Sequence, residues 1–329
     1  MRQRTMRSNE DQVTVEPLSV PKLSDSVEEK ADWVELFTLK DNDGNASFSD
    51  LLTALGISGT ADAAEKEDEG EDLSEEVSDE DRYEGAGEDA FLEITDRVDA
   101  CKGTNTDYPF EVTGSAIVCQ ETTLSSVYVF LLLLSRYGHK AGGGDGAKIF
   151  EEICAKAAES YLGAHETHVR SYVFGFPRRV GPKGFAKALD ALCAELGEGC
   201  RRSDSATAPD QKDAKLDVVA WRGFADRRRG KLIAFGQCAT GADWKDKTTE
   251  LIRPEDWCKL WMLDSPAAWP IRMFFVPHRI NESAWRDTCV KAGILFDRCR
   301  IVQHSDLLSK DLRDRLGIWS EAAIAKYLR

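Results

Sequence analysis

Two residues carry hydrolytic chemistry if the fold brings them together: Asp217 and Gln237. Asp217 heads the apolar run Leu216-Asp217-Val218-Val219-Ala220-Trp221, and the next apolar run, Lys231 to Ala239, closes on Gly236-Gln237-Cys238-Ala239. The loop between them, Arg222 to Gly230, centres near Asp226 and Arg227. Counting outward from that centre places Asp217 opposite Gly236 or Gln237 in an antiparallel hairpin. A carboxylate and an amide oxygen at one end of a sheet can hold a hard cation such as Mg²⁺ or Mn²⁺, with water and a substrate phosphate at its other positions. Such a cation polarises a phosphoryl oxygen and helps generate the attacking hydroxide. The plainer reading of the same residues is a strand-capping Asp and an amide that satisfies buried backbone.

The pattern resembles the PD-(D/E)xK nuclease superfamily. There an Asp starts one strand, a Glu or Gln with an alternating Lys ends the next, and the restriction-enzyme-like and Holliday-junction-resolvase-like branches add a Glu on the preceding helix. Here that helix begins Lys148-Ile149-Phe150-Glu151-Glu152-Ile153. The resemblance implies Asp217, Gln237 and Glu151 as metal ligands, Glu152 being the close rival of Glu151. It implies an α/β fold with a mixed central sheet flanked by helices (restriction-endonuclease-like), and Mg²⁺-dependent cleavage of DNA. It also implies a setting in bacterial antiviral defence or DNA processing, with a protein partner from the same system. It spans about residues 147–302. The lysine expected two residues after Gln237, which stabilises developing charge and orients water, is replaced by Ala239. Lys245, Lys247, Lys215 and Lys156 are the candidates to replace it, and Lys247 stands for them in the candidate site. A chain that has lost this lysine altogether would be a nucleic-acid-binding or scaffolding subunit with the same fold.

Charge is distributed to suit a polyanionic partner. Residues 1–100 carry 9 Lys/Arg against 29 Asp/Glu, whereas the whole chain has a net charge of −15, so the low pI belongs to the first third. Residues 168–232 carry 14 Lys/Arg against 8 Asp/Glu. Arg227, Arg228 and Arg229, at the hairpin turn, are the candidate DNA phosphate contacts, with Arg178-Arg179 and Arg201-Arg202 close in sequence.

Other chemistries are weaker. Gln237-Cys238-Ala239-Thr240-Gly241 places a thiol where a cysteine hydrolase could have its nucleophile, with His165 or His168 as base, but the residue order does not fit. The nine cysteines have neither disulfide-framework nor zinc spacing, and together with the lack of an apolar leader they point to a reducing cytoplasm. Asp41-Asn42-Asp43-Gly44-Asn45 lacks the Gly and Glu of a calcium loop and reads as a turn before a Ser47 or Ser49 cap. The longest apolar run, Val127 to Leu134, is too short to span a membrane.

The elements that would position the site follow from periodicity. Residues 1–29 read as a disordered arm, 30–60 as a short helical segment, and 61–87 as an acidic linker with 15 Asp/Glu and 2 Lys/Arg between Asp62 and Asp89. Residues 88–146 read as a helical and extended lead-in, 147–305 as the α/β domain, and 306–329 as a C-terminal helix. Within the domain the pattern predicts helices over 147–162, 185–196 and 282–292. It predicts strands over 172–176, 216–221, 231–239, 271–276 and 294–302, and a Trp-rich helical region over 244–263.

Overall fold

The computed structural model describes residues 18–64, 79–106, 108–120, 123–164, 168–201, 212–251 and 253–329. Its elements run α1 (Val27–Lys40), β1 (Asn45–Ser47), α2 (Phe48–Ala64), α3 (Asp79–Ala100), β2 (Phe110–Thr113), β3 (Ala116–Cys119), α4 (Val127–Tyr137), α5 (Gly146–Tyr161), β4 (Val169–Val173), α6 (Phe185–Leu196), β5 (Cys200–Arg201), β6 (Val218–Arg222), β7 (Leu232–Cys238), α7 (Trp244–Lys247), α8 (Pro254–Trp261), β8 (Met262–Asp264), β9 (Ile271–Phe275), α9 (Glu282–Ala292), β10 (Ile294–Phe296), α10 (Arg298–Gln303) and α11 (Lys310–Tyr327).

A five-stranded mixed sheet, in the order β10-β9-β7-β6-β4, is the frame. β7, β9 and β10 are parallel, while β6 runs antiparallel to both β7 and β4. Strand alternation gives each face its own core. Val218, Ala220 and Ala234 pack toward α5 and α4, whereas Val219, Trp221, Ile233 and Phe235 pack toward α6 and Trp257 of α8. The chain is thus a mixed α/β protein with helices on both faces of its central sheet. Helix α4 is apolar on every side and sits at the centre, the expected place for a helix with no polar face. The Ser126 hydroxyl caps its start by accepting from Val129 N, and Gly138, at φ +77°, ends it.

The first third is part of this core. Ala31, Val34, Leu36 and Leu39 of α1 are buried in the same cluster as α4, α5 and α11. Ser26 and Glu29 form a capping box at the start of α1, so the expected disordered arm is ordered from Leu18 onward. The expected acidic linker is helical at both described ends, 61–64 and 79–87. Phe91, Ile94 and Val98 of α3 supply the apolar face expected of a helix in the lead-in, and Tyr83 and Ala86 extend it back into the acidic stretch. The remainder of the linker, 65–78, and residues 1–17 lie outside the described residues. Asp41 makes a plain turn, accepting from Asp43 N and Asn45 N, and Ser47 and Asp50 cap α2 reciprocally.

Three expected elements differ. The strand over 294–302 stops at Phe296, because Asp297 caps α10 by accepting from Arg300 N at 3.0 Å. The strand expected at 172–176 lies at 169–173. The Trp-rich region divides into α7, α8 and β8. Among the described residues no helix is long and apolar enough to cross a membrane.

Candidate carboxylate site at the end of the sheet

Asp217 lies just before β6 and Gln237 near the end of β7. Val218 pairs with Gly236, and Asp217 N donates to Gly236 O at 2.9 Å, so Asp217 faces Gln237 in register, as counting from the turn predicted. Glu151 reaches the same strand end from α5, which packs on the sheet through Ile149, Phe150 and Ile153. The two carboxylates meet over Gly175. A methyl group built on Gly175 would stand 2.5 Å from Glu151 Oε2 and 3.1 Å from Asp217 Oδ1. Any side chain there would fill the space the acids share.

Both acids titrate far from their ordinary range. Burial, then the neighbouring Asp217 charge, pushes Glu151 up to about 8, against the pull of Lys148. Burial likewise raises Asp217 to about 7; Cys238 N, donating to Oδ2 at 2.8 Å, pulls it down, and Asp213 pushes it up. Two nearby carboxylates that resist ionisation as a pair are a strong local demand for positive charge.

Lys148 answers part of that demand. Its Nζ sits 2.7 and 2.8 Å from the two Glu151 oxygens, one helical turn earlier on α5. Sequence reasoning missed it because it looked for a lysine after Gln237; the i, i+3 spacing to Glu151 was the available signal. Asp213 was missed too. Ala214 and Lys215 take left-handed conformations, φ +55° and +63°, which turn the chain back so that Asp213 stands beside Asp217. Two successive non-glycine residues in that region are costly and cluster at functional loops.

The other expected residues are placed as follows. Gln237 is buried and, with Lys215 and Lys247, lines a cavity of about 410 Å³ that also reaches Asp217, while strand alternation sets its side chain on the Ile233 and Phe235 side of β7, away from α5. Its amide nitrogen donates to Glu250 Oε2 at 3.3 Å and its oxygen accepts from Leu251 N at 3.2 Å, so both ends are committed. Lys247 pairs with Asp243 at 2.9 Å, Lys215 with Glu250 at 3.0 Å and Lys156 with Glu159 at 2.8 Å, while Lys245 lies over the Trp244 ring. Ala239 is buried. Glu152 turns outward to Arg315 at 2.6 Å and does not compete with Glu151. Arg227, Arg228 and Arg229 are exposed at the far end of the hairpin, and β6 alone separates them from Asp217 by about 17 Å. Arg178 is buried under the site loops, donating to Lys183 O and Lys212 O at 3.0 Å each.

No family model, curated protein or solved structure matches this chain. What the site can do therefore rests on its own geometry. The cysteine-hydrolase reading fails on that geometry. Burial and the adjoining Cys154 thiol push the Cys238 thiol well above its usual range, opposite to a nucleophile's requirement. His168 O accepts from Gly223 N at the other end of β6, and His165 lies outside the described residues.

A divalent cation fits the carboxylate pair. The glycine leaves a cradle that a Cβ would fill, and both acids need neighbouring positive charge to ionise. Among the described residues no three His, Cys, Asp or Glu side chains form a ready-made metal cage.

Proposed function

We propose that the chain is a metal-dependent phosphodiesterase acting on DNA, with Glu151 and Asp217 as its metal ligands and Lys148 as its lysine. The observation that carries this reading is the convergence of two acids of raised pKa over a side-chain-free glycine at the end of a sheet. The order of parts, helix acid on α5, strand acid before β6 and antiparallel partner β7, supports a restriction-endonuclease-like core. A bound Mg²⁺ or Mn²⁺ would supply Lewis-acid polarisation of the phosphoryl oxygen and a lowered pKa for attacking water.

The chain's own residues do the rest. Asp217 is held in place by Cys238 N, and Glu151 by Lys148. Lys148 Nζ, held at the pair by Glu151, would offset the charge of a phosphate oxygen brought beside it. Gln237 braces the loop after β7 through Leu251 N and is a positioning residue in this account. The setting in bacterial defence or DNA processing, and a protein partner from it, remain part of the proposal on the PD-(D/E)xK resemblance alone.

The buried Ala239 and the committed Gln237 favour a second reading, a nucleic-acid-binding subunit that cuts nothing. Incubation of labelled DNA with Mg²⁺ or Mn²⁺ separates the two. The nuclease reading expects cleavage that EDTA stops, that Asp217→Ala abolishes and that Cys238→Ser leaves nearly intact. Binding without cleavage under either metal would select the second reading.

A further inference from the structure

The cavity of about 410 Å³ beside Asp217 has a charged wall. Lys212, Lys215 and Lys247 stand around it with Asp213 and Glu250, and apart from Cys238 every side chain that lines it is polar. Its two further acids are already engaged. Asp213 Oδ1 accepts from Lys215 N at 3.0 Å and Oδ2 from Phe176 N at 3.2 Å. Glu250 Oε2 faces Lys215 Nζ at 3.0 Å and accepts from Gln237 Nε2 at 3.3 Å. The lysines are held more loosely. Lys212 Nζ lies over the Phe176 ring, 5.7 Å from its centre, and among the described residues pairs with no carboxylate. Lys247 pairs with Asp243, which is not part of the wall, and Lys215 with Glu250. The Lys215 side chain is 58% exposed and that of Asp243 61%. Ion pairs so open to water contribute little, so both ammonium groups can turn to a better anion at small cost.

Ammonium groups that converge from the loop before β6 and from α7, beside an acid that would hold the metal, match one ligand chemistry: a backbone phosphate of a nucleic acid. We propose that this cavity holds the phosphate next to the scissile one, and hence that the substrate is gripped by consecutive backbone phosphates and not by its bases. This inference rests on the phosphodiesterase reading for the position of the scissile phosphate. No aromatic ring lines the wall, so a base finds nothing there to stack on. Lys148 is not part of the wall, so the scissile phosphate and its neighbour have separate lysines. Arg227 to Arg229 lie at the far end of the hairpin, out of reach of the same phosphate.

The test measures binding apart from cutting. Full-length protein is titrated in EDTA at pH 6, where Glu151 and Asp217 still hold their protons, with a fluorescein-labelled dT 12-mer at several salt concentrations. Replacing Lys212, Lys215 and Lys247 together with Gln should weaken binding on the order of tenfold, the loss of charge-assisted contacts to one phosphate. The slope of log affinity against log salt should flatten by about 0.7 for that phosphate. The matching triple Arg substitution should keep most of the affinity, and an abasic strand of equal length should bind the native protein as well as dT does. Should the Gln triple fail to fold by far-ultraviolet circular dichroism, Lys212→Gln alone is expected to show the same trend at smaller size. Native-like affinity and slope in the folded Gln variant would overturn the inference, as would an equal loss on replacing Arg227, Arg228 and Arg229 with Ala, or an abasic strand that binds far more weakly. No binding by the native protein would overturn both readings. Lysine-dependent binding by a protein that cuts nothing with Mg²⁺ or Mn²⁺ would leave the phosphate subsite standing and overturn the phosphodiesterase reading instead.

Discussion

Two regions of this molecule bury acids, and they treat them in opposite ways. Under α1, Asp32 and Glu35 meet Arg97 of α3 and Arg298 of α10. Arg298 grips Asp32 at 2.6 and 2.8 Å, Arg97 reaches Glu35 at 2.9 Å, and the Tyr108 and Tyr128 hydroxyls donate to Glu35 at 2.5 and 2.7 Å. Burial works to raise Asp32, yet Arg298 and Arg97 hold it down at about 2. Over Gly175, burial raises Glu151 and Asp217 to about 8 and 7, the Asp217 charge adding to the first and the Asp213 charge to the second. The first cluster is balanced by two buried guanidinium groups, whereas Lys148 alone faces the second pair. The first joins the acidic third of the chain to the helices behind the sheet; the second marks the site.

The largest effect expected from that contrast is on folding. Deleting residues 1–86 removes α1 and with it Asp32 and Glu35, leaving the buried Arg298 without its acids and Arg97 with Glu93 alone. Such a chain should lose cooperative unfolding in a denaturant titration. A soluble truncated protein with the melting curve of the full chain would show that α1 is peripheral. Arg298→Ala isolates the same cluster with one substitution. It leaves Asp32 with Arg97 alone, takes the guanidinium bonds from Ser135 and Pro277 O, and should cost about 3 kcal/mol in urea unfolding. At the other site the sign reverses. Asp217→Asn removes a charge the metal-free fold opposes, so stability at pH 8 should hold or rise, while activity is lost. A comparable loss from both substitutions would erase the distinction.

A pH series sharpens the comparison. Glu151 and Asp217 have raised folded-state values, so their contribution to stability is fully present below about 4 and is lost as pH rises through about 7 and 8. Metal-free protein should therefore soften between pH 5 and 9, and added Mg²⁺ should recover stability most at the alkaline end. Asp32 has a depressed value, so its contribution is present above about 4 and disappears as pH falls toward 2. Thermal melts with and without Mg²⁺ across pH 3 to 9 resolve both limbs. A metal effect independent of pH would show that protons and metal do not compete for the carboxylates. The smallest effect is expected from replacing Arg227, Arg228 and Arg229 together with Ala. They stand away from the site, so cleavage of a short strand should change by less than about threefold, with only a slight loss of salt sensitivity.

The hairpin register was legible because a turn of known length fixes what lies opposite what, and the placing of Asp217 followed from it, whereas Glu151 came from the family resemblance alone. The facing of Gln237 was not. Phe174 N and Gly175 N both donate to Asp217 O, at 2.7 and 2.9 Å, which bends the ladder at Asp217. That local irregularity frees the Asp217 carboxylate to join Glu151 while Gln237 keeps the regular alternation of β7. Strand periodicity cannot reveal a bend made by a third strand. The role of α1 and the start of α3 was hidden by a different effect. Counting charges over 61–87 masked only Tyr83 and Ala86, the first turns of α3, and the arginines that neutralise Asp32 come from positions 65 and 266 residues further along the chain. The nearby lysine was readable from helical spacing alone, once the search moved from the strand to α5.

The central claim, that Glu151 and Asp217 form a divalent-cation site, is tested most directly by calorimetric titration of Mn²⁺ into the full-length protein at pH 8. One binding event is expected for the native chain, weakened on lowering the pH to 6 and lost in Asp217→Asn. Native-like Mn²⁺ binding by Asp217→Asn, or by Glu151→Gln and Asp217→Asn together, would contradict the account.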